Sequence, residues 1–210
     1  MLNKIIPFNA LPILHQEINL TLNNEEKEFF QSLKFNGDSK GVQVTENIFV
    51  LNNSKTVRLK NFFTQIAEEY KKQILGINNN ICLTSSWLAV NKTNCKHHEH
   101  KHMNAFISMV FYIKCESGNL IIKLPKSTLE EGFHFSYDII ENNCFNTRTC
   151  ELEVKTNSLI IFPGWLYHET KINQSSKDRI ILGLDFMVDG QFGSYKNNDL
   201  IKFKLEETNA

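Results

Sequence analysis

The spacing of hydrophobic positions along this chain changes near residue 80. Before that point, "SKTVRLKNFFTQIAEEYKKQILG" (residues 54–76) carries Leu59, Phe62, Phe63, Ile66, Tyr70 and Leu75 at helical spacing, one face apolar and the other charged. Ser54 stands as its N-cap, and Gly76 where such a helix stops. Upstream, "LTLNNEEKEFF" predicts another helix start, with Asn23 or Asn24 as N-cap and acidic residues in the first turn. The rest of residues 1–52 reads as short extended segments.

From residue 81 the runs shorten and become rich in β-branched and aromatic residues: "ICLTSSWLAV", "AFISMVFYIK", "GNLIIKLP", "SLIIFP" and "RIILGLDFMV". Five such runs without a strong helix between them predict a sandwich or barrel, hence a mainly β (α+β) fold. The polar segment 126–150 between them is expected to be a long surface loop of the kind that covers a site. The expected organisation is one structural domain in three parts. Residues 1–80 form a helical and extended support, residues 81–188 the β core, and residues 189–210 a polar, loosely packed tail.

Alternation within one strand sharpens this picture. In "AFISMVFYIK" the odd positions Ile107, Met109, Phe111 and Ile113 are wholly apolar and suit packing under a helix layer. The even positions Phe106, Ser108, Val110 and Tyr112 carry the hydroxyls and suit a pocket.

Composition narrows the function classes. Sixteen Phe favour a filled core or an apolar cavity, and a formal net charge of zero argues against a strongly basic nucleic-acid surface. No stretch approaches the roughly 20 apolar residues of a membrane span. "MLNKIIPFNALPILHQEI" lacks the pattern of a secretory leader. Five cysteines without paired spacing fit a reducing compartment, so a cytosolic location is expected; Cys144 and Cys150 are the one pair near enough in sequence to bridge or share a metal. A homodimer through an edge strand or the N-terminal segment is compatible with the sequence.

The candidate chemistry lies in "CKHHEHKHMNAF", which holds four of the seven histidines. Strand alternation puts His100 and His102 on one face with Ser108 and Tyr112, provided the register survives residues 103–105; His97 and Glu99 share the opposite parity. A catalytic metal site with open positions needs a third ligand. His168 in "SLIIFPGWLYHET" supplies it, after a buried strand and a Pro163–Gly164 turn. His134 and His15 have no comparable context. Eleven residues beyond His168, Arg179 heads the last strand, where its planar guanidinium suits bidentate binding of a carboxylate.

Together "HKHMNAFISMVFYI", "GNLIIKLP", "LEVKTNSLIIFPGWLYHET" and "RIILGLDF" resemble the 2-oxoglutarate- and Fe(II)-dependent oxygenases, and within them a group of small bacterial and phage proteins of unknown substrate. The resemblance covers roughly residues 45–188. It implies a double-stranded β-helix (jelly-roll, cupin-like) core, an Fe(II) held by His100, His102 and His168, 2-oxoglutarate as cofactor and O2 as co-substrate. It further implies that Arg179 binds the distal carboxylate of 2-oxoglutarate, helped by Tyr112, with Asn91 toward the cofactor's other end. Trp165 and Ser108 would line the substrate pocket. The reaction implied is hydroxylation of an unknown substrate, coupled to decarboxylation of 2-oxoglutarate to succinate.

Two departures stand out. His102 occupies a position usually held by Asp or Glu, which leaves His97 and Glu99 as an alternative His-x-carboxylate pair. Ile181 stands where relatives often have Ser or Thr, so one carboxylate contact has no donor. The other readings are a cupin-like metal enzyme that does not use 2-oxoglutarate, and a non-catalytic metal-binding domain; neither needs Arg179.

Overall fold

The structure is a computed structural model that describes residues 11–37, 41–125, 138–143 and 146–205. Strands β1 (Leu14–Glu17), β2 (Phe35–Gly37), β3 (Val42–Thr45), β4 (Asn80–Asn91), β5 (Ile107–Lys114), β6 (Leu120–Lys123), β7 (Thr149–Leu152), β8 (Ser158–Pro163), β9 (Tyr167–Thr170), β10 (Arg179–Phe192) and β11 (Ile201–Phe203) accompany helices α1 (Asn24–Ser32) and α2 (Val57–Gln73). The large sheet runs β1-β8-β5-β10-β4-β3-β2 with β11 paired to β10; the small sheet runs β7-β6-β9. All pairings within the two sheets are antiparallel.

The large sheet is buried on both faces, with a different partner on each. Met109 and Phe111 of β5 and Leu182, Leu184 and Phe186 of β10 pack with Leu59 and Phe63 of α2. The rings of Phe63 and Phe111 lie 5.4 Å apart. On the other face Val110, Tyr112, Ile160 and Phe162 meet Leu120 and Ile122 of the small sheet. Two facing sheets with helices outside the larger one make a jelly-roll core. The alternation read in β5 therefore holds: odd positions lie under the helices, even positions between the sheets.

The caps show why the helices begin where they do. Asn23 and Glu26 form a capping box, each side chain bonded to the other's backbone N–H at 2.8 Å, and Arg58 pairs with the buried Glu26 carboxylate at 2.7 Å. Ser54 opens a short 3-10 turn capped by Asn53 rather than the α-helix itself, which starts at Val57. Gly76, at φ +66°, ends that segment.

Two expectations need correction. The chain after Asp189 is not a loose tail: β10 continues to Phe192, and β11 folds back on it through Gly190, Gln191 and Phe192. Ile201 and Lys202 stay exposed on this hairpin, which is held by backbone pairing. Near the other end of the core, Thr149–Leu152 forms an edge strand of the small sheet. Residues 126–137 and 144–145, the bulk of the expected covering loop, lie outside the described residues, as do His134 and Cys144.

Candidate metal centre and cofactor site

His168 sits on β9 and His100 in a single antiparallel bridge to it, with the His100 and His168 backbones exchanging hydrogen bonds of 3.0 and 2.8 Å. His102 is tied by its N–H to the Gly164 carbonyl at 2.9 Å, in the Pro163–Gly164 turn before β9. That turn admits only glycine: a Cβ on Gly164 would stand 2.5 Å from the Ala105 carbonyl oxygen. One ring nitrogen from each of His100, His102 and His168 lies within 4.8 Å of the others. The register does not run through residues 103–105, which form a turn; the bonds of His102 to Gly164 and Ser108 nevertheless bring it to the face that alternation selects.

Each Nδ1 of the three is already engaged. His100 Nδ1 lies 2.8 Å from the His98 carbonyl, His168 Nδ1 3.1 Å from the Leu166 carbonyl, and His102 Nδ1 2.6 Å from Asp185 Oδ1. These partners are acceptors, so each Nδ1 carries the proton and each Nε2 lone pair is left for the centre. Burial, aided by the neighbouring imidazoles, lowers His168 to about 2. Burial likewise lowers His100. Neutral rings with a fixed tautomer are what a divalent metal takes up.

Asp185 was not singled out in the sequence. It lies on the same face of β10 as Arg179, and its Oδ1 also accepts from Ser108 Oγ at 2.7 Å. Ser85 Oγ donates to its Oδ2 at 3.4 Å. Ser108 is fully buried beneath His102, so it braces the carboxylate and the imidazole rather than lining a pocket. Ser85 stands directly across the β4–β10 ladder from Asp185, at the last regular pair before a β-bulge.

The alternative pair is arranged otherwise. Glu99 is exposed and bonded to Lys123 at 2.5 Å, turned from the imidazoles by a surface cation. The His97 ring stacks on His100 at 4.5 Å, and burial with the surrounding imidazoles and Arg179 lowers it to about 3.

Arg179 is 1% exposed, yet no carboxylate faces it among the described residues. Its Nη1 donates to the carbonyls of Gly118 at 2.7 Å and Lys171 at 3.2 Å, and its Nη2 to Thr170 Oγ1 at 2.6 Å. Its Nε has no partner. Directly across the ladder is Asn91, also 1% exposed, whose Nδ2 is likewise unpartnered. Two orphaned buried donors side by side are costly unless an acceptor joins them. The Tyr112 ring is buried beside them, and burial raises its phenol well above the usual range while the Arg179 charge pulls the other way. Thr170 lies two residues beyond His168 on β9, a step of about 7 Å along a strand. The guanidinium is thus held one inward position past the imidazoles, a span a short dicarboxylate bridges. Thr170 was missed in the sequence; its hydroxyl holds the guanidinium, a different role from the carboxylate contact left open at Ile181.

Trp165 is 45% exposed at the rim of an open cavity of about 1430 Å³, which has His102 and Asp185 in its wall. Trp87, also unassigned in the sequence, borders the same cavity, with its ring 5.3 Å from that of His102. It lies over Gly183, where a Cβ would come within 2.5 Å of the indole.

Residues 85–185 match the model of a family described as "Putative 2OG-Fe(II) oxygenase". Over those 101 residues, just under half of its length, the chain is similar to the 2OG-Fe(II) oxygenases. The matched segment runs from Ser85 to Asp185, the two residues that meet beneath the imidazoles. Among solved structures, similarity extends to a Pseudomonas putida prolyl-4-hydroxylase (TM-score 0.57, 13% identity, 86% of this chain and 95% of that one). It extends also to the α-ketoglutarate-dependent epimerase SnoN of nogalamycin biosynthesis (0.58, 12%, 95% and 89%). HygX from Streptomyces hygroscopicus, solved with nickel, 2-oxoglutarate and hygromycin B, is similar at 0.58, with 10% identity over 85% of this chain and 84% of that one. At these identities the neighbours speak for the shared fold. No curated protein shows significant sequence similarity to the chain. The family's description names Fe(II) and 2-oxoglutarate, and the converging imidazoles and orphaned donors fit both. No helix among the described residues is long and apolar enough to cross a membrane.

Proposed function

We propose that the protein is a hydroxylase that couples oxidation of a substrate C–H bond to conversion of 2-oxoglutarate to succinate. His100, His102 and His168 would hold Fe(II), and Arg179 the distal carboxylate of 2-oxoglutarate beside Tyr112; Asn91, paired with Arg179 across the ladder, would serve that same carboxylate rather than the cofactor's other end. The observation that carries this reading is the pairing of three converging imidazoles with two orphaned buried donors one strand step away. A metal enzyme without 2-oxoglutarate would leave Arg179 Nε and Asn91 Nδ2 unsatisfied.

Bound together, Fe(II) and 2-oxoglutarate supply the O2 activation that the reaction requires. The chain's own part is orientation and exclusion of water. Asp185 and two backbone carbonyls hold the imidazoles in one tautomer. Thr170 and the Gly118 carbonyl hold the guanidinium in place before the cofactor arrives, so little ordering remains to be done on binding. Phe162, packed on His168 at 4.8 Å, keeps the inner side of the centre dry.

Anaerobic addition of Fe(II) and 2-oxoglutarate tests the reading. A visible charge-transfer band is expected only with both present, and lost in His168→Ala. Arg179→Ala should weaken 2-oxoglutarate while metal binding persists. Absence of the band in protein shown to hold iron refutes the assignment. Under oxygen, succinate should form slowly even without substrate.

A further inference from the structure

The cavity beside His102 carries an inference about what is oxidised, and it rests on the oxygenase reading above. Its charge is one-sided in an informative way. The chain has 23 Lys and Arg, yet none lines this cavity among the described residues. The lone acidic side chain in its wall, Asp185, is already bonded to His102 and Ser108. Thr84, Ser85 and Asn104 are the uncharged polar side chains there besides His102. A phosphate, sulfate or carboxylate entering away from the metal would lose water and meet no cationic side chain among the described residues, a cost of several kcal/mol per charge.

What the walls do offer is apolar and partly aromatic. Ile48, Ile74, Met103 and Trp165 are 48%, 55%, 77% and 45% exposed, and all four border this cavity. Exposed large apolar side chains scattered singly need no explanation, but four around one opening mark a binding surface. Trp87, Trp165 and Phe106 provide ring faces or edges, and the thioethers of Met103 and Met187 adapt to a flat partner. About 1430 Å³ also exceeds the roughly 300–1,000 Å³ typical of small-ligand pockets.

From this wall chemistry we infer that the substrate is a bulky, uncharged, ring-containing small molecule. It enters between Trp87 and Trp165 and presents a C–H bond toward the imidazoles. Free amino acids, nucleotides and sugar phosphates are excluded by the same reasoning. The chain offers one competing occupant: residues 1–10, outside the described structure, contain Leu2, Ile5, Ile6 and Phe8 and directly precede Leu11 and Pro12 of the cavity wall.

The test compares 1-pyrenemethanol with 1-pyrenesulfonate, a neutral and an anionic probe of one shape. Fluorescence titration uses the full chain, with and without Ni(II) and 2-oxoglutarate. Saturable binding of pyrenemethanol is expected, at least tenfold tighter than of pyrenesulfonate. Trp165→Ala should weaken it at least fivefold, and Met103→Lys should shift preference toward the sulfonate; both positions are exposed, so the fold should survive. Equal binding of the two probes, or no effect of Trp165→Ala, overturns the inference. So does binding that appears only after Ile5, Ile6 and Phe8 are replaced by Asp, which would assign the cavity to the chain's own N-terminus. Because binding is read without turnover, its failure is separate from failure of the oxygenase reading, which the charge-transfer band reports independently.

Discussion

Replacing Gly118 by Ala isolates the cofactor anchor without touching the anchor itself. Gly118 has φ +95°, and a Cβ there would lie 1.9 Å from Arg179 Nη1, 3.1 Å from its Cζ and 2.9 Å from the Lys171 carbonyl oxygen. A non-glycine residue in such backbone costs about 1–3 kcal/mol, and the guanidinium must retreat by more than an ångström to escape the methyl group. It would then lose its 2.7 Å bond to the Gly118 carbonyl and be drawn off the 2.6 Å bond to Thr170 Oγ1. A hydrogen bond to a charged group contributes roughly 1.5–3 kcal/mol, so the affinity for 2-oxoglutarate should fall about 10- to 150-fold. Melting should drop by several degrees, at about 2–4 °C per kcal/mol for a domain of this size. Metal affinity should stay within about twofold, because none of the three imidazoles is bonded to residues 117–119. The assay is anaerobic titration of 2-oxoglutarate into the Ni(II)-loaded variant, well below its melting temperature, with Arg179→Ala and the double variant beside it. Once Arg179 is gone, Gly118→Ala should add little. Full 2-oxoglutarate affinity in a folded Gly118→Ala protein would refute the assignment of Arg179, and equal loss of metal would mean that the whole site had moved.

Other perturbations have equally definite outcomes. Asp185→Asn keeps the shape but removes the charge held 2.6 Å from His102 Nδ1, and should weaken Co(II) or Fe(II) binding about 10- to 100-fold; unchanged affinity would make the carboxylate purely structural. Glu99→Ala, at a surface ion pair, should leave metal content unchanged, whereas its loss would restore the alternative ligand pair. The metal-free protein should lose stability as pH falls below about 6.5. His168 and His97 are lowered to about 2 and 3 when folded, so the unfolded chain binds more protons over that window, at roughly 1.4 kcal/mol per pH unit per group. Above that pH the dependence on pH vanishes and the stability is fully present, and a flat stability from pH 7 to pH 5 in urea melts would contradict the burial of these rings. Met109→Ala, under α2, should cost about 2–5 kcal/mol in stability and leave the Ni(II) and 2-oxoglutarate affinities intact.

Periodicity alone was enough for α2, the five strand runs and the two faces of β5, because burial on opposite faces imposes a strict alternation that local sequence records. Parity pointed to His100 and His102, the Pro163–Gly164 turn context to His168, and the head of the last strand to Arg179. Tertiary structure decided the rest. Asp185 is 83 residues from the His102 it orients, and Thr170 and Gly118 meet Arg179 only through ladder pairing and a turn. Parity set His97 and Glu99 apart from His100 and His102 but left open which pair faces the centre; that depended on Lys123 reaching Glu99 from β6. The edge strand β7 and the β10–β11 hairpin read as loop and tail because short edge strands held by backbone pairing leave no periodic burial pattern. What the sequence by itself determined was the set of groups able to bind metal and carboxylate. Which of them converge, and which donors are left buried without a partner, depended on strand register, a long-range property that no local pattern encodes.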